Sequence, residues 1–273
     1  LRHSYTFGLM NKALLILIFS ISLLSCTSKF AQIQKSNDFD LKYAKADEYF
    51  SHKSYVYAQR LYEDVIPFLR GTGRFEDLNY KLAYSYYNQG DYINSENLFK
   101  NFTETFPSSN RAEECEFMRA YSYYKQSPKI ELDQANTNKT LGLLQAFIST
   151  HPNSTRIKEA NDLVDLCRDK LEEKEYSAAQ LYYNLGYYKA AAISFTSVLE
   201  NYPDSKKGDQ YKLTIIKSYY KYAEMSIEEK QKERFEKVIT ECTDFKERYP
   251  DSNLMDDVKQ YIKQASNYLN IKK

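Results

Sequence analysis

Beyond residue 38 the chain is a succession of segments in which small and large apolar residues alternate with polar ones at three- and four-residue spacing. That spacing predicts amphipathic helices. In the clearest segment Leu82, Ala83 and Tyr86 share one helix, Gly90-Asp91-Tyr92 forms a turn, and Ser95, Phe99 and Phe102 continue on a second helix up to Pro107. The same order returns with Ala46, Tyr49, Tyr55, Ala58, Tyr62 and Val65, and again with Ala179, Tyr182, Tyr188, Ala191, Phe195, Val198 and Pro203. A further copy runs from Ala120 and Tyr123 to Leu144, Phe147 and Pro152, stretched by additional residues around Ser127-Pro128. Another, from Tyr211 to Pro250, is also stretched and has lost its small positions. An amphipathic segment from Leu254 to Leu269 would close the stack as a cap.

The boundaries repeat as well. Phe106-Pro107-Ser108-Ser109, His151-Pro152-Asn153-Ser154, Tyr202-Pro203-Asp204-Ser205 and Tyr249-Pro250-Asp251-Ser252 each place a helix-stopping Pro before residues able to cap the next helix. Two helices fit between successive junctions. A small residue lets the paired helices approach, and large residues three or four positions away fill the groove beside it. This arrangement resembles the tetratricopeptide repeat, and the expected fold is an all-α tetratricopeptide-repeat solenoid of about five hairpins plus a capping helix. Such arrays present a long concave surface suited to binding other chains.

Composition agrees. Seven Gly and six Pro in 273 residues are too few for a β-sandwich or barrel with a turn every few residues. No Gly-rich phosphate loop is present. The 38 basic and 37 acidic side chains give no basic footprint for nucleic acid. The chain has 27 Tyr and 15 Phe but no Trp.

Ahead of the repeats, Met10 and Asn11-Lys12 precede an apolar run from Ala13 to Leu24. As a helix it would rise only about 18 Å, short of a hydrocarbon core of roughly 30 Å. Residues 1–25 therefore read as upstream residues and a signal peptide. Leu23-Leu24-Ser25-Cys26 resembles a bacterial lipobox, which assigns Cys26 as the lipidated residue and 26–38 as a tether before a repeat domain over 39–273. Acyl chains on one Cys hold a protein stably at a membrane surface. Thr27-Ser28-Lys29-Phe30 carries neither the Asp associated with inner-membrane retention nor an acidic export signal. The periplasmic face of the outer membrane is the expected location.

No catalytic set stands out. The chain has no Ser elbow, no His-Glu-x-x-His and no Cys/His pair of suggestive spacing. Cys115, Cys167 and Cys242 read as small buried residues, and His52 and His151 are isolated, so no metal site or cofactor is expected. The paired acids Glu113-Glu114 and Asp256-Asp257 fit the helix dipole at a helix start.

A second aromatic line on the first helix of each hairpin is the candidate binding site. Tyr80, Tyr84 and Tyr87 stand at i, i+4 and i+7, and the next hairpin has Phe117, Tyr121 and Tyr124. The others supply Tyr43 and Phe50, Tyr176 and Tyr183, and Tyr219 and Tyr222. These rings either pave the concave groove, as a peptide- and partner-binding surface, or fill contacts between repeats. Tyr offers apolar area at low entropy cost with a hydroxyl that stays wet.

A lipobox followed by five hairpins with the Tyr-Pro-Asp-Ser junction resembles the BamD family of outer-membrane assembly lipoproteins. The resemblance implies a non-enzymatic scaffold of the β-barrel assembly machinery that binds a BamA-like barrel protein, other assembly lipoproteins and unfolded barrel segments. In that family the amino-terminal hairpins are thought to receive substrate signals ending in an aromatic residue, and the carboxy-terminal hairpins to dock a periplasmic domain of BamA. A periplasmic repeat scaffold for pilus assembly or cell division is the alternative, and a SusD-like glycan-binding lipoprotein is another. The latter family is longer and rich in Trp. Lipidation is directly testable: Cys26→Ala should abolish acyl labelling and release the protein from the membrane fraction, and unchanged labelling would refute the assignment.

Overall fold

A computed structural model describes residues 29–271, which leaves Cys26 and the signal segment outside the described residues. The described residues form helices and no strand. A short helix over 29–35 (α1) leads into α2 (Phe39–Ser51) and α3 (Tyr55–Leu69), α4 (Phe75–Asn88) and α5 (Tyr92–Thr105), and α6 (Ala112–Lys125) and α7 (Ala135–Thr150). Then come α8 (Ile157–Asn184) and α9 (Tyr188–Asn201), α10 (Gly208–Glu224) and α11 (Glu228–Arg248), and the cap α12 (Met255–Ile271). The chain forms two compact units: one runs up to Ser127 and includes Ala135–Val164, and the other is Pro128–Gln134 with Asp165–Lys273.

Local chemistry explains the hairpins. Asp38 and Asp91 cap α2 and α5 by accepting from the amides of Leu41 (2.9 Å) and Asn94 (3.1 Å). The tight turns after α4 and α8 need a left-handed residue, and Gly90 (φ 80°) and Gly186 (φ 81°) supply it without steric cost. In the first hairpin Lys53 (φ 59°) takes that place. Ala46, Ala58, Ala83, Ala120, Ala179 and Ala191 are all fully buried, so the small positions are where helices meet. In the first unit these contacts gather around Leu61, Tyr62, Leu78 and Leu82, and around Phe99, Phe102, Phe117 and Phe147. The second unit has a core of Ala191, Phe195 and Ile215, and another of Ile216, Phe235, Val238 and Phe245, closed by Val258 and Ala265 of α12.

Each Pro junction carries the same clamp. The Ser two residues after the Pro donates its hydroxyl to an acid of an earlier first helix, at its start in α4, α6 and α10 and midway along the extended α8: Ser109 to Glu76 (2.7 Å), Ser154 to Glu113 (2.5 Å), Ser205 to Glu172 (2.5 Å) and Ser252 to Asp209 (2.6 Å). The same Oγ accepts the amide two residues on, from Arg111, Arg156, Lys207 and Leu254 at 3.0–3.1 Å. A cation then binds the following acid: Arg111 to Asp77 (2.9 Å), Arg156 to Glu114 by two bonds (3.0 and 2.6 Å), and Lys207 to Glu173 (3.0 Å). Arg74 meets Asp40 at 2.6 Å in the first hairpin. The junction thereby sets the register between consecutive hairpins.

Two features depart from a regular repeat. α8 has 28 residues, twice the length of α4, so the fourth hairpin's first helix is extended at its amino-terminal end. The additional residues around Ser127-Pro128 form the connection between α6 and α7. Lys174 donates to the carbonyls of Ile130 (3.0 Å) and Leu132 (2.8 Å) and holds that segment to α8.

The clamp can be measured at Glu172, which is only 8% exposed and accepts from both Ser205 and Tyr211 (2.5 Å). Ser205→Ala leaves one donor for a buried carboxylate and should lower stability by roughly 1–2 kcal/mol in denaturant unfolding. An unchanged midpoint would remove the clamp from the account.

Candidate functional site

The stripe residues divide by position. In the first unit Tyr80, Tyr84, Tyr87, Tyr121 and Tyr124 are half-buried and form an unbroken tract across α4 and α6. Ring centroids are 4.8 Å apart for Tyr80–Tyr84, 6.5 Å for Tyr84–Tyr87, 6.1 Å for Tyr87–Tyr121 and 5.8 Å for Tyr121–Tyr124. One side of the tract rests on Phe99, Phe102 and Phe117, and the other side remains partly open.

Phe117, expected in the same line, is a core residue instead. It is 1% exposed, packed edge-on to Phe147 (5.7 Å) with the Arg156 guanidinium 4.8 Å over its ring. Tyr43 is also buried, at 9%, with Arg74 over its ring (5.6 Å) and its hydroxyl donated to Asp77 (2.8 Å). Arg111 stands likewise over Tyr80 at 4.6 Å. In these three hairpins the first ring of the line therefore lies under the cation of the next junction, which covers it. Phe50 is half-buried against Tyr55 and Tyr62.

In the second unit Tyr176 and Tyr183 are half-buried, against Phe195 and Tyr211, and against Tyr188. In α10 the expected line is off by one residue. Counted from its clamp acid, Tyr87 lies eleven residues after Glu76, and Tyr220 lies eleven after Asp209. Tyr220 touches Phe235 of its own hairpin (5.5 Å) and Tyr261 of the next helix (5.2 Å), as Tyr87 touches Tyr92 (5.4 Å) and Tyr121. Tyr219 faces back onto the fourth hairpin's core of Ala191, Phe195 and Leu199, and Tyr222 lies under Arg234 (3.9 Å).

Tyr219 also lines a cavity of about 370 Å³ among α9, α10 and α11, with Leu199 and Ile215 on its apolar side. Its polar side is an ion cluster in which Lys212 pairs with Glu241 and Asp244, Lys237 with Glu241 (2.6 Å), and Arg248 with Asp244 (2.9 Å). Burial acts to raise the Glu241 pKa, but hydrogen bonds from Lys212 and Lys237 outweigh it and hold the carboxyl below its ordinary value. Every carboxylate of the cluster is thus met by two cations, three cations serving two acids. Among the described residues no group of His, Cys, Asp or Glu is placed to hold a metal, and Cys115, Cys167 and Cys242 are buried free thiols.

The acids of the clamp have a structural role that the sequence left hidden. Glu113-Glu114 reads as a helix-dipole pair, yet Glu113 accepts from Ser154 and Glu114 from Arg156 and Tyr84 (2.6 Å). The available signal is the Ser-x-Arg or Ser-x-Lys that follows an acid pair 33 residues on, as in Glu76 and Ser109 or Glu172 and Ser205.

Hairpins stacked in this register define a tetratricopeptide-type repeat protein. The structure has loose likenesses of that kind: the TPR2AB domain of yeast Sti1 in complex with an HSP90 peptide (TM-score 0.41, 12% identity, covering 84% of this chain and 98% of that one), and a Rap protein bound to competence and sporulation factor (TM-score 0.34, 15% identity, 89% and 72%). No curated protein sequence matches the chain. The family model of YfiO, described as an outer membrane lipoprotein, matches residues 36–238, and the chain belongs to this family, that of BamD. No helix among the described residues is long and apolar enough to cross a membrane.

The tyrosines give the fold a pH limit. Burial first, and then hydrogen bonds to Glu114 and Tyr80, push Tyr84 far above the ordinary phenol range. Burial and the Glu63 bond raise Tyr86 to about 12, and burial with Glu175 raises Tyr202 to about 12. A raised folded pKa stabilises the fold fully below the unfolded value near pH 10, and the contribution is lost as pH rises toward the folded one. Helical signal should hold up to about pH 10 and fall between about pH 10 and 12 together with phenolate absorbance. Full phenolate absorbance from all 27 tyrosines with the helical signal intact would contradict the clamped-tyrosine account.

Proposed function

We propose that this chain is a non-catalytic, lipid-anchored scaffold of the β-barrel assembly machinery at the periplasmic face of the outer membrane, binding a BamA-like barrel protein, other assembly lipoproteins and unfolded barrel segments. Membership of an outer-membrane lipoprotein family supports the location, and the repeat fold supports a role in protein binding. The observation that carries the reading is the half-open tract of Tyr80, Tyr84, Tyr87, Tyr121 and Tyr124. It offers successive ring faces and wet hydroxyls along two hairpins. An extended segment rich in aromatic residues, such as a barrel strand ending in Phe, can lay alternate side chains on that surface.

Within the tract the rings differ in use. Tyr84 is committed to Glu114 and packs edge-on to Phe99 at 5.2 Å. Tyr87 and Tyr121 are the rings at the contact between the two first helices. A double substitution, Tyr87→Ala with Tyr121→Ala, should weaken binding of a synthetic barrel peptide ending in Phe by roughly 2 kcal/mol, the level of an aromatic hot spot. Calorimetric titration of the peptide, with thermal unfolding of the same variant, separates lost surface from lost fold. Unchanged affinity in a folded variant would reject the tract as the substrate surface.

A further inference from the structure

Two stretches near the start of the repeats lack acidic side chains, and packing brings them together. Residues 27–37 hold Lys29 and Lys35, and residues 49–62 hold Lys53 and Arg60, with no Asp or Glu in either, although acids make up 37 of the 273 residues. Phe30 of α1, 5% exposed, joins the two. Its ring lies 5.9 Å from Tyr49 near the end of α2 and 4.6 Å from Tyr57 near the start of α3. The amino-terminal end of α1 is thereby placed beside the turn of the first hairpin, where Lys53 stands.

All four cations are exposed, and none meets a carboxylate among the described residues. The acids that flank the second stretch are already in use: Glu48 by Lys45 (2.6 Å), Glu63 by Tyr86, and Asp64 by Lys42 (3.2 Å). The tip of the first hairpin therefore carries uncompensated positive charge in a chain whose totals nearly cancel. Lys53 adds a second observation. The turns of the second and fourth hairpins put Gly90 and Gly186 in the left-handed conformation, whereas here a lysine adopts it at φ 59°, against the cost of its Cβ.

Position along the chain selects the occupant. Only Thr27 and Ser28 separate Lys29 from Cys26, the residue read as lipidated, and three Cα steps reach at most about 11 Å. An anchored chain thus holds this patch little more than one Debye length from the headgroups. Those headgroups are present at high effective concentration at every moment, whereas an acidic protein partner has to arrive by diffusion. Val56, 46% exposed and one turn from Arg60 on α3, offers a shallow apolar contact beside the charges.

We propose that the tip of the first hairpin, with Lys29, Lys53, Val56 and Arg60, seats on anionic phospholipid headgroups as a second membrane contact beside the lipid anchor. The contact takes its reach from the lipidation of Cys26 and is independent of which assembly the scaffold serves. Acyl chains on one cysteine fix where the protein is, and a second contact fixes how the first hairpin is tilted there. Each cation close to an anionic surface strengthens binding about fivefold.

The test uses the full-length lipidated chain in vesicles of phosphatidylethanolamine with phosphatidylglycerol, and in vesicles of phosphatidylcholine alone, with acyl labelling of the same sample. A nitroxide on Val56→Cys reports shielding from a water-soluble nickel relaxant, with Glu104→Cys, exposed at the far end of α5, as control. Cys115, Cys167 and Cys242 are buried and do not compete for the label. In the anionic vesicles position 56 should be shielded about fivefold more than position 104, and the difference should vanish in phosphatidylcholine and at high salt. Lys53→Gly, which installs the residue of the other turns, should leave the melting temperature unchanged or raised. Combined with Lys29→Gln and Arg60→Gln it should abolish the shielding. An acylated, vesicle-bound chain with positions 56 and 104 equally accessible would overturn the proposal while leaving the anchor in place, and would assign the patch to an acidic protein face. A chain without acyl label would overturn both. Shielding that is equal in phosphatidylcholine, undiminished in the triple variant or present without vesicles would also overturn it, the last by showing that a second copy covers the face.

Discussion

A carboxylate partly drawn out of water on a first helix has to be met by donors, and in this chain the donors come from the next hairpin. Ser109, Ser154, Ser205 and Ser252 each join an acid on an earlier first helix to the amide that opens the following one. Because the Ser lies two residues after the Pro, the stop signal of one hairpin is also the attachment point of the next. The members differ in weight. Arg74–Asp40, with the Asp side chain 83% exposed, is screened and contributes little, whereas Arg156–Glu114 has both side chains about one-third exposed and two parallel bonds.

The aromatic tract follows from that clamp. Arg111 and Arg156 reach across to their acids and lie over Tyr80 and Phe117, which ties the first rings to the junction. Rings farther along the helix escape this cover and remain half-open. Tyrosine suits both places, since its hydroxyl reaches the next hairpin's acid where the ring is covered, as Tyr84 reaches Glu114, and faces water where it is not. The same rings therefore hold neighbouring hairpins together and supply the surface assigned to substrate.

In the second unit the repeat is altered at two places with opposite results. α10 substitutes Ile216 at the small position of Ala83 and buries it, and a cavity with a paired ion cluster opens beside Tyr219. α8 has the exposed Leu181 where α4, α6 and α10 bury a serine.

The hairpins, their turns and the cap were legible in the sequence because they rest on local chemistry. Pro stops a helix, Asp38 and Asp91 cap one, Gly90 and Gly186 accept a left-handed backbone, and buried alanines mark the helix contacts. The family resemblance was readable for the same reason, since the repeated junctions are linear motifs. Tertiary structure alone decided which aromatic rings are covered, because burial depends on what the next hairpin brings across. Thus Phe117 and Tyr43 went under arginines, and the α10 line shifted from Tyr219 to Tyr220 because its register is counted from Asp209 and not from the nearest tyrosine. The acid pairs belong to the same class: a carboxylate at a helix start looks like a dipole partner until the serine 33 or more residues away arrives beside it.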